Sequence, residues 1–546
     1  MSRFALASLL LTPCVFTPFD AAAGQRRQTT AQQAEKSGQA QSSGAATLVR
    51  EVAALVQAGK FEEAESAARK VVAAMPQDAE AHSILGVVLS QRGQMEESER
   101  ELRIAVQLDP HSTAALANLG VMLTQTGRAD EAVGVFEEAV RLAPSNMQAS
   151  YNLALLYTAR KEYERAIPLL ELAAHVRGDD VDSVDTALLI RLAETYAQAR
   201  RIQDSLRISD IVEKRAAEDP RVLFTLALAL AGAGSDERAA RIFERVNHLR
   251  PNTFEVLYNL GVALSNIDRL DEAQQALRDA ATLKPDEPEV FYRLGLIASA
   301  KGESENALGL WQRAVQLRSV YAEAYFMLAE ELVKNKRVAR AIPFYQLAVE
   351  QKPTEAIYQI RLGAAHFRER DYDRAQEVFR AALQRFPDSP VLLYLVGYTA
   401  RAEGLYDDAV KAFTRSLELQ PNNAAVLANL GFIAAERGQH LEAESLLRRA
   451  IALEPDNYPA HYDLGRLLVR LRRYDEALPI LERGVKLAND DPGVHYQLFI
   501  TYSRLKRKDE AERELARFKA LEETRKQRDG GMVEKDELPP PKVSGN

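Results

Sequence analysis

The fold this sequence predicts is an all-α chain of stacked, antiparallel helix pairs, and three observations predict it. A stretch of 34 residues, Phe254 to Glu287, recurs along the chain. Apolar residues fall at helical spacing twice within it, through Val256, Leu257, Leu260 and Leu264 and then through Leu270, Ala273, Leu277 and Ala280. Small Gly261 and Ala273 stand where the two helices would cross, and Pro285 closes the second helix.

The same marks return in phase. Gly295, Gly363, Gly397, Gly431 and Gly465 fall where Gly261 does, Ala307, Ala341, Ala375, Ala409, Ala443 and Ala477 where Ala273 does, and Pro353, Pro387, Pro421 and Pro455 where Pro285 does. Units begin at residues 45, 79, 113, 147, 186, 220, 254, 288, 322, 356, 390, 424, 458 and 492, which makes 14 units with one slip of five residues before Thr186. This pattern resembles the tetratricopeptide repeat (TPR) family over roughly residues 45 to 521. The resemblance implies a right-handed α-solenoid. No single unit buries its apolar face alone, so stacking supplies the core.

In chain order, Met1 to Gln25 reads as a secretory signal: Arg3, an apolar run from Phe4 to Phe16, and Ala21-Ala22-Ala23 before a cut after residue 23. That run is too short and too interrupted by proline to span a bilayer, so no integral membrane span is expected. Cys14 is the one cysteine; Pro13 before it departs from a lipoprotein processing site. Residues 24–44 are polar and small and read as a disordered linker. An amino-terminal segment, 45–185, follows. Its first unit has Val52 in place of the small residue, as a capping unit would, and His175 to Asp185 hold the extra residues. Asp179, Asp180, Asp182 and Asp185 crowd that insertion without the spacing of a calcium loop, which reads as a lengthened turn that bends and divides the stack. A longer segment, 186–521, keeps strict phase and places Trp311 in the large core slot shared with Phe136, Phe243, Leu277, Phe379 and Phe413. Its last unit gains Arg504, Lys506, Arg507, Lys508 and Arg513, as a water-facing closing unit should. Residues 522–546 read as a disordered, charged tail in which Leu538-Pro539-Pro540-Pro541 can adopt polyproline conformation.

A formal net charge of −8 argues against nucleic acid, because phosphate contacts need a surplus of Lys and Arg. No catalytic motif, metal-ligand spacing or cofactor loop is present, so no enzyme activity, metal or cofactor is expected. His82, His461 and His495 share one helical slot but lack ligand partners at metal spacing and read as packing.

Binding is the expected work. The resemblance implies that the first helix of each pair lines a concave groove holding a protein or peptide segment. Its fifth residue reads Tyr151, Ile190, Phe224, Tyr258, Tyr292, Phe326, Ile360, Tyr394, Ala428, Tyr462 and Tyr496, an aromatic stripe that fits either ligand contact or packing between helices. The next residue gives Asn118, Asn152, Asn259 and Asn429, similar to the asparagine ladder by which some TPR proteins grip a peptide backbone. Groove-facing slots in the carboxy-terminal half carry Lys334, Arg361, Arg368, Arg401, Arg466, Arg470 and Arg504 against Glu330, Glu436 and Asp463. Such a basic wall on an acidic chain points to an acidic segment or terminal carboxylate as the partner, or to charges paired locally. Two further roles fit the resemblance: assembly factor of an envelope machine such as a pilus, secretion or polysaccharide-export apparatus, and accessory subunit positioning a separate enzyme.

Overall fold

A computed structural model describes residues 49–174 and 184–530. The secretory signal, the linker, Cys14, three insertion aspartates (Asp179, Asp180 and Asp182) and the proline run lie outside the described residues. Within them the fold is the all-α solenoid of paired helices, with no strand among the described residues.

A typical unit pairs a helix A of 13 residues with a helix B of 14, as in Pro288–Ala300 and Ser304–Leu317, while the B helices Tyr163–Ala173 and Lys508–Gly530 have 11 and 23. Helix A starts cleanly where a short polar side chain precedes it: Asp78, Ser112, Asn146, Asp185, Asp219, Ser389, Asn423, Asn457 and Asp491 each accept from a backbone N–H of the first turn. The A-to-B turn needs one residue in the left-handed region. Glycine meets this at Gly93, Gly127, Gly302 and Gly438, yet Lys161, Arg200, Asp268, Lys336, Arg370, Arg472 and Lys506 adopt the same conformation in equivalent turns (φ 60 to 64°). The turn is thus imposed by the pair that it closes.

Crossing is close because the A helix gives up its side chain. A Cβ on Gly363 would lie 2.4 Å from Phe379, and one on Gly465 2.3 Å from Leu481. In the first unit the sizes are exchanged. Val52 occupies the small slot and Ala68 the large one, and both are buried in one core cluster. Trp311 is fully buried as expected, and its Nε1 donates to the Tyr292 carbonyl at 3.1 Å.

The chain forms two compact units, residues up to Arg269 and residues from Leu270 on. Thr186, where strict phase resumes, lies inside the first of these. Helix Tyr163–Ala173 packs on helix Thr186–Gln198 across the insertion, where the Tyr196 hydroxyl donates to Glu171 at 2.5 Å. The closing helix outruns its expected end at 521, continuing from Lys508 to Gly530. Glu522, Glu523, Arg525 and Lys526 are good helix formers, and Arg525 pairs with Glu522 one turn back at 3.4 Å.

Candidate functional site

Within each of the two compact units successive A helices approach one another more closely than successive B helices do, so the A helices line the inner side of the stack. The expected groove residues all lie on these helices. Tyr151, Tyr258, Tyr292, Phe326, Tyr394 and Tyr462 are half-buried, and Tyr496 is 42% exposed. Most of these rings pack on other rings. Tyr292 meets Tyr321 at 5.1 Å between centroids, Phe326 meets Tyr358 at 4.6 Å, Tyr394 meets Tyr398 at 5.7 Å, and Tyr462 meets Tyr458 at 6.0 Å. The first two contacts join successive repeats, and the last two lie within single helices, Pro390–Ala402 and Tyr458–Arg470.

Each asparagine of the expected ladder spends one amide N–H inside the protein. Asn152, Asn259 and Asn429 donate to the carbonyls of Gln148, Glu255 and Ala425 one turn back in their own helices, at 2.8, 2.7 and 2.7 Å. Asn118 reaches the preceding unit, donating to Ser83 Oγ at 3.1 Å. A free carbonyl one turn away is always within an asparagine's reach, and sequence spacing does not reveal that competition. Asn429 keeps its Oδ1 buried without a hydrogen-bond partner.

The histidines stay apart, each bound within its own unit. His82 Nδ1 pairs with Glu101 at 2.6 Å, His495 Nδ1 with Glu514 at 2.5 Å, and His461 Nδ1 contacts the Asn457 carbonyl at 3.0 Å. Among the described residues no group of three His, Cys, Asp or Glu could hold a metal ion. None of the described helices is long and apolar enough to cross a membrane.

The basic residues divide into paired and unpaired. Lys334 contacts Glu331 at 3.5 Å, and Arg361 contacts Glu330 at 3.3 Å. Arg368 and Arg504 are exposed and pair with no carboxylate among the described residues. The others converge on three successive A helices, Pro390–Ala402, Ala424–Glu436 and Tyr458–Arg470. Glu436 takes a guanidinium from both Arg466, at 2.9 Å, and Arg470, at 3.3 Å, and Asp463 lies 3.5 Å from Arg466. Arg401 has no carboxylate partner among the described residues. Its guanidinium carbon lies 5.0 Å from the ring centre of Tyr398 and 4.7 Å from that of Phe432, and Arg466 lies 5.2 Å from Phe432. Arg401 Nε is buried without a hydrogen-bond partner.

Aromatic faces hold these cations without neutralising them. Three guanidiniums thus share two carboxylates, and burial pushes the Asp463 carboxyl up to about 6 although Arg466 and Arg401 pull the other way. Sequence reasoning missed Phe432 and Tyr398 as platforms. The signal was there, since Tyr398, Phe432 and Arg466 occupy one slot of three consecutive units.

Family models described as "Tetratricopeptide repeat" match residues 50–113, 85–146, 123–180, 254–287, 292–356, 360–424, 412–445, 434–495 and 471–523. Among solved structures the chain is similar to YrrB, described as a TPR protein with an unusual peptide-binding site, at 21% identity over 34% of this chain and 97% of that one (TM-score 0.31). It is similar to yeast Tom70 at 17% identity over 82% and 96% (TM-score 0.31). A third is the C-terminal part of a TPR repeat-containing protein from Cytophaga hutchinsonii, at 17% over 44% and 99% (TM-score 0.41). Nothing among the curated proteins matches the chain.

Proposed function

The chain belongs to the tetratricopeptide repeat family and is a protein-interaction scaffold, and from that premise we propose that the A-helix face around Arg401 binds an acidic segment of a partner protein. One observation carries the reading: Arg401 is held on Tyr398 and Phe432 without a carboxylate at ion-pair distance among the described residues and with a buried, unpartnered Nε. A buried donor left unsatisfied costs roughly 1–3 kcal/mol, which an incoming carboxylate returns on binding.

Arg401→Gln should therefore weaken binding of a synthetic Asp- and Glu-rich peptide at least tenfold in fluorescence anisotropy at low salt. Arg361→Gln, whose guanidinium already has Glu330, should change it less than threefold. Equal losses for the two variants, or none for either, would remove the assignment.

Export completes the proposal, with the leader removed after Ala23 and the scaffold working in the cell envelope as an assembly factor or as a support for a separate enzyme. The run Phe4 to Phe16 before Ala21-Ala22-Ala23 supports it. Mass spectrometry of an envelope fraction should then find a mature terminus at Gly24. An intact Met1 in the cytosol would overturn export and leave the binding face untouched.

A further inference from the structure

At the carboxy-terminal end of the second unit lies a cleft of about 320 Å³ that the proposed binding face does not use. Tyr462, Tyr496 and Phe518 form its walls, and Asp491, Glu522 and Arg525 its rim. Tyr496 packs on Phe518 at 5.2 Å between ring centres and is 42% exposed. The floor is Gly493, where a Cβ would stand 2.9 Å from the Tyr462 hydroxyl. Among the described residues neither the Tyr462 nor the Tyr496 hydroxyl has a hydrogen-bond partner. The cleft thus offers flat aromatic faces, two unused phenolic donors and a mostly acidic edge.

We propose that the chain's own segment Leu538-Pro539-Pro540-Pro541-Lys542 docks in this cleft as a polyproline II strap. Three things in the molecule fit this occupant. A polyproline helix has no internal hydrogen bonds, so its carbonyls are free to accept from Tyr462 and Tyr496 while its rings lie on the aromatic walls. Lys542 follows the prolines and suits Asp491 and Glu522, whereas Glu534, Asp536 and Glu537 precede them and suit Arg525. Reach is sufficient. Gly530 ends the closing helix only about 8 Å beyond Arg525, at 1.5 Å per residue, and the eight residues 531–538 span roughly 26 Å when extended. A strap seated there covers Tyr462 and Tyr496, so it competes with any partner that uses the last two A helices.

The test uses the full chain. A benzoylphenylalanine placed at Gln497, beside the walls, should cross-link to the chain's own residues 537–543, giving a product of monomer mass, and replacing Pro539, Pro540 and Pro541 by serine should abolish it. A cross-link at dimer mass only, or none into this segment, overturns the proposal. A dye-labelled decapeptide of residues 537–546 gives the second reading. A short tether holds its own segment at roughly millimolar effective concentration, so the triple-serine chain should bind the peptide about tenfold more tightly than the unsubstituted chain. Equal binding by the two chains, or binding by neither, also overturns it. These outcomes do not depend on Arg401, so they separate from the failure of the acidic-partner reading.

Discussion

Gly295→Ala should destabilise the compact unit from Leu270 on by roughly 3 kcal/mol, a large effect for one methyl group. The added Cβ would stand 2.4 Å from Trp311 Nε1 and 2.7 Å from two ring carbons. An indole that is fully buried cannot swing away without displacing its neighbours. Moving it also breaks its hydrogen bond to the Tyr292 carbonyl, so overpacking and a lost buried bond add. The cost should show as faster hydrogen exchange in helices Pro288–Ala300 and Ser304–Leu317 and as an earlier urea transition. Trp311→Phe in the same chain should recover more than 1 kcal/mol of the loss. The unit beginning at Pro220 already combines Ala227 and Phe243 in these two slots, both fully buried. Gly309→Ala is the control. Nothing lies within 4 Å of its Cβ, and it should stabilise the helix by about 0.5–1 kcal/mol. Similar losses at Gly295 and Gly309, or no recovery in the double variant, would refute close crossing as the reason for glycine.

That argument also shows what could be read in the amino acids. The period fixes which residues face inward, because a core slot repeated fourteen times is filled by few side-chain types; Gly295 against Trp311 is one pair among many. Slot reading was poorer for polar groups. An asparagine in phase says only that an amide is present, and whether it reaches a ligand or its own helix depends on a carbonyl one turn away, as at Asn152 and Asn259. Charge placement was half legible. The excess of guanidinium on the inner side could be counted, but Arg361 proved to be paired with Glu330 while Arg401 rests on Phe432. That difference lies between units, in stacking geometry that a single repeat does not encode. Phe432 was overlooked because its slot elsewhere holds ordinary apolar residues such as Leu296 and Val262.

The second large effect concerns Asp463, which carries its charge at 7% exposure between Arg466 and the rest of the cluster. Burial raises its carboxyl from an ordinary 3.8 to about 6, despite the cations nearby. The sign follows from proton binding. Between about pH 4 and 6 the folded chain holds a proton that the unfolded chain has released, so stability falls as pH rises across this window and stays reduced above it. That difference between the folded and unfolded chain corresponds to roughly 3 kcal/mol. Asp463→Asn should therefore unfold later than the unsubstituted chain at pH 7.5, with the advantage closing as pH falls below 4. The same proton bears on binding. With Asp463 neutral, Arg466 keeps only Glu436, which it shares with Arg470, and the cluster gains one net positive charge. Affinity for an acidic peptide should then rise several-fold from pH 7.5 to 5.5, while the peptide's own carboxylates remain ionised. In Asp463→Asn it should be high and nearly flat across that range. If the variant instead kept the pH dependence of the unsubstituted chain, the titrating group would lie elsewhere, and Asp463 would be a buried partner of Arg466 without a part in recognition.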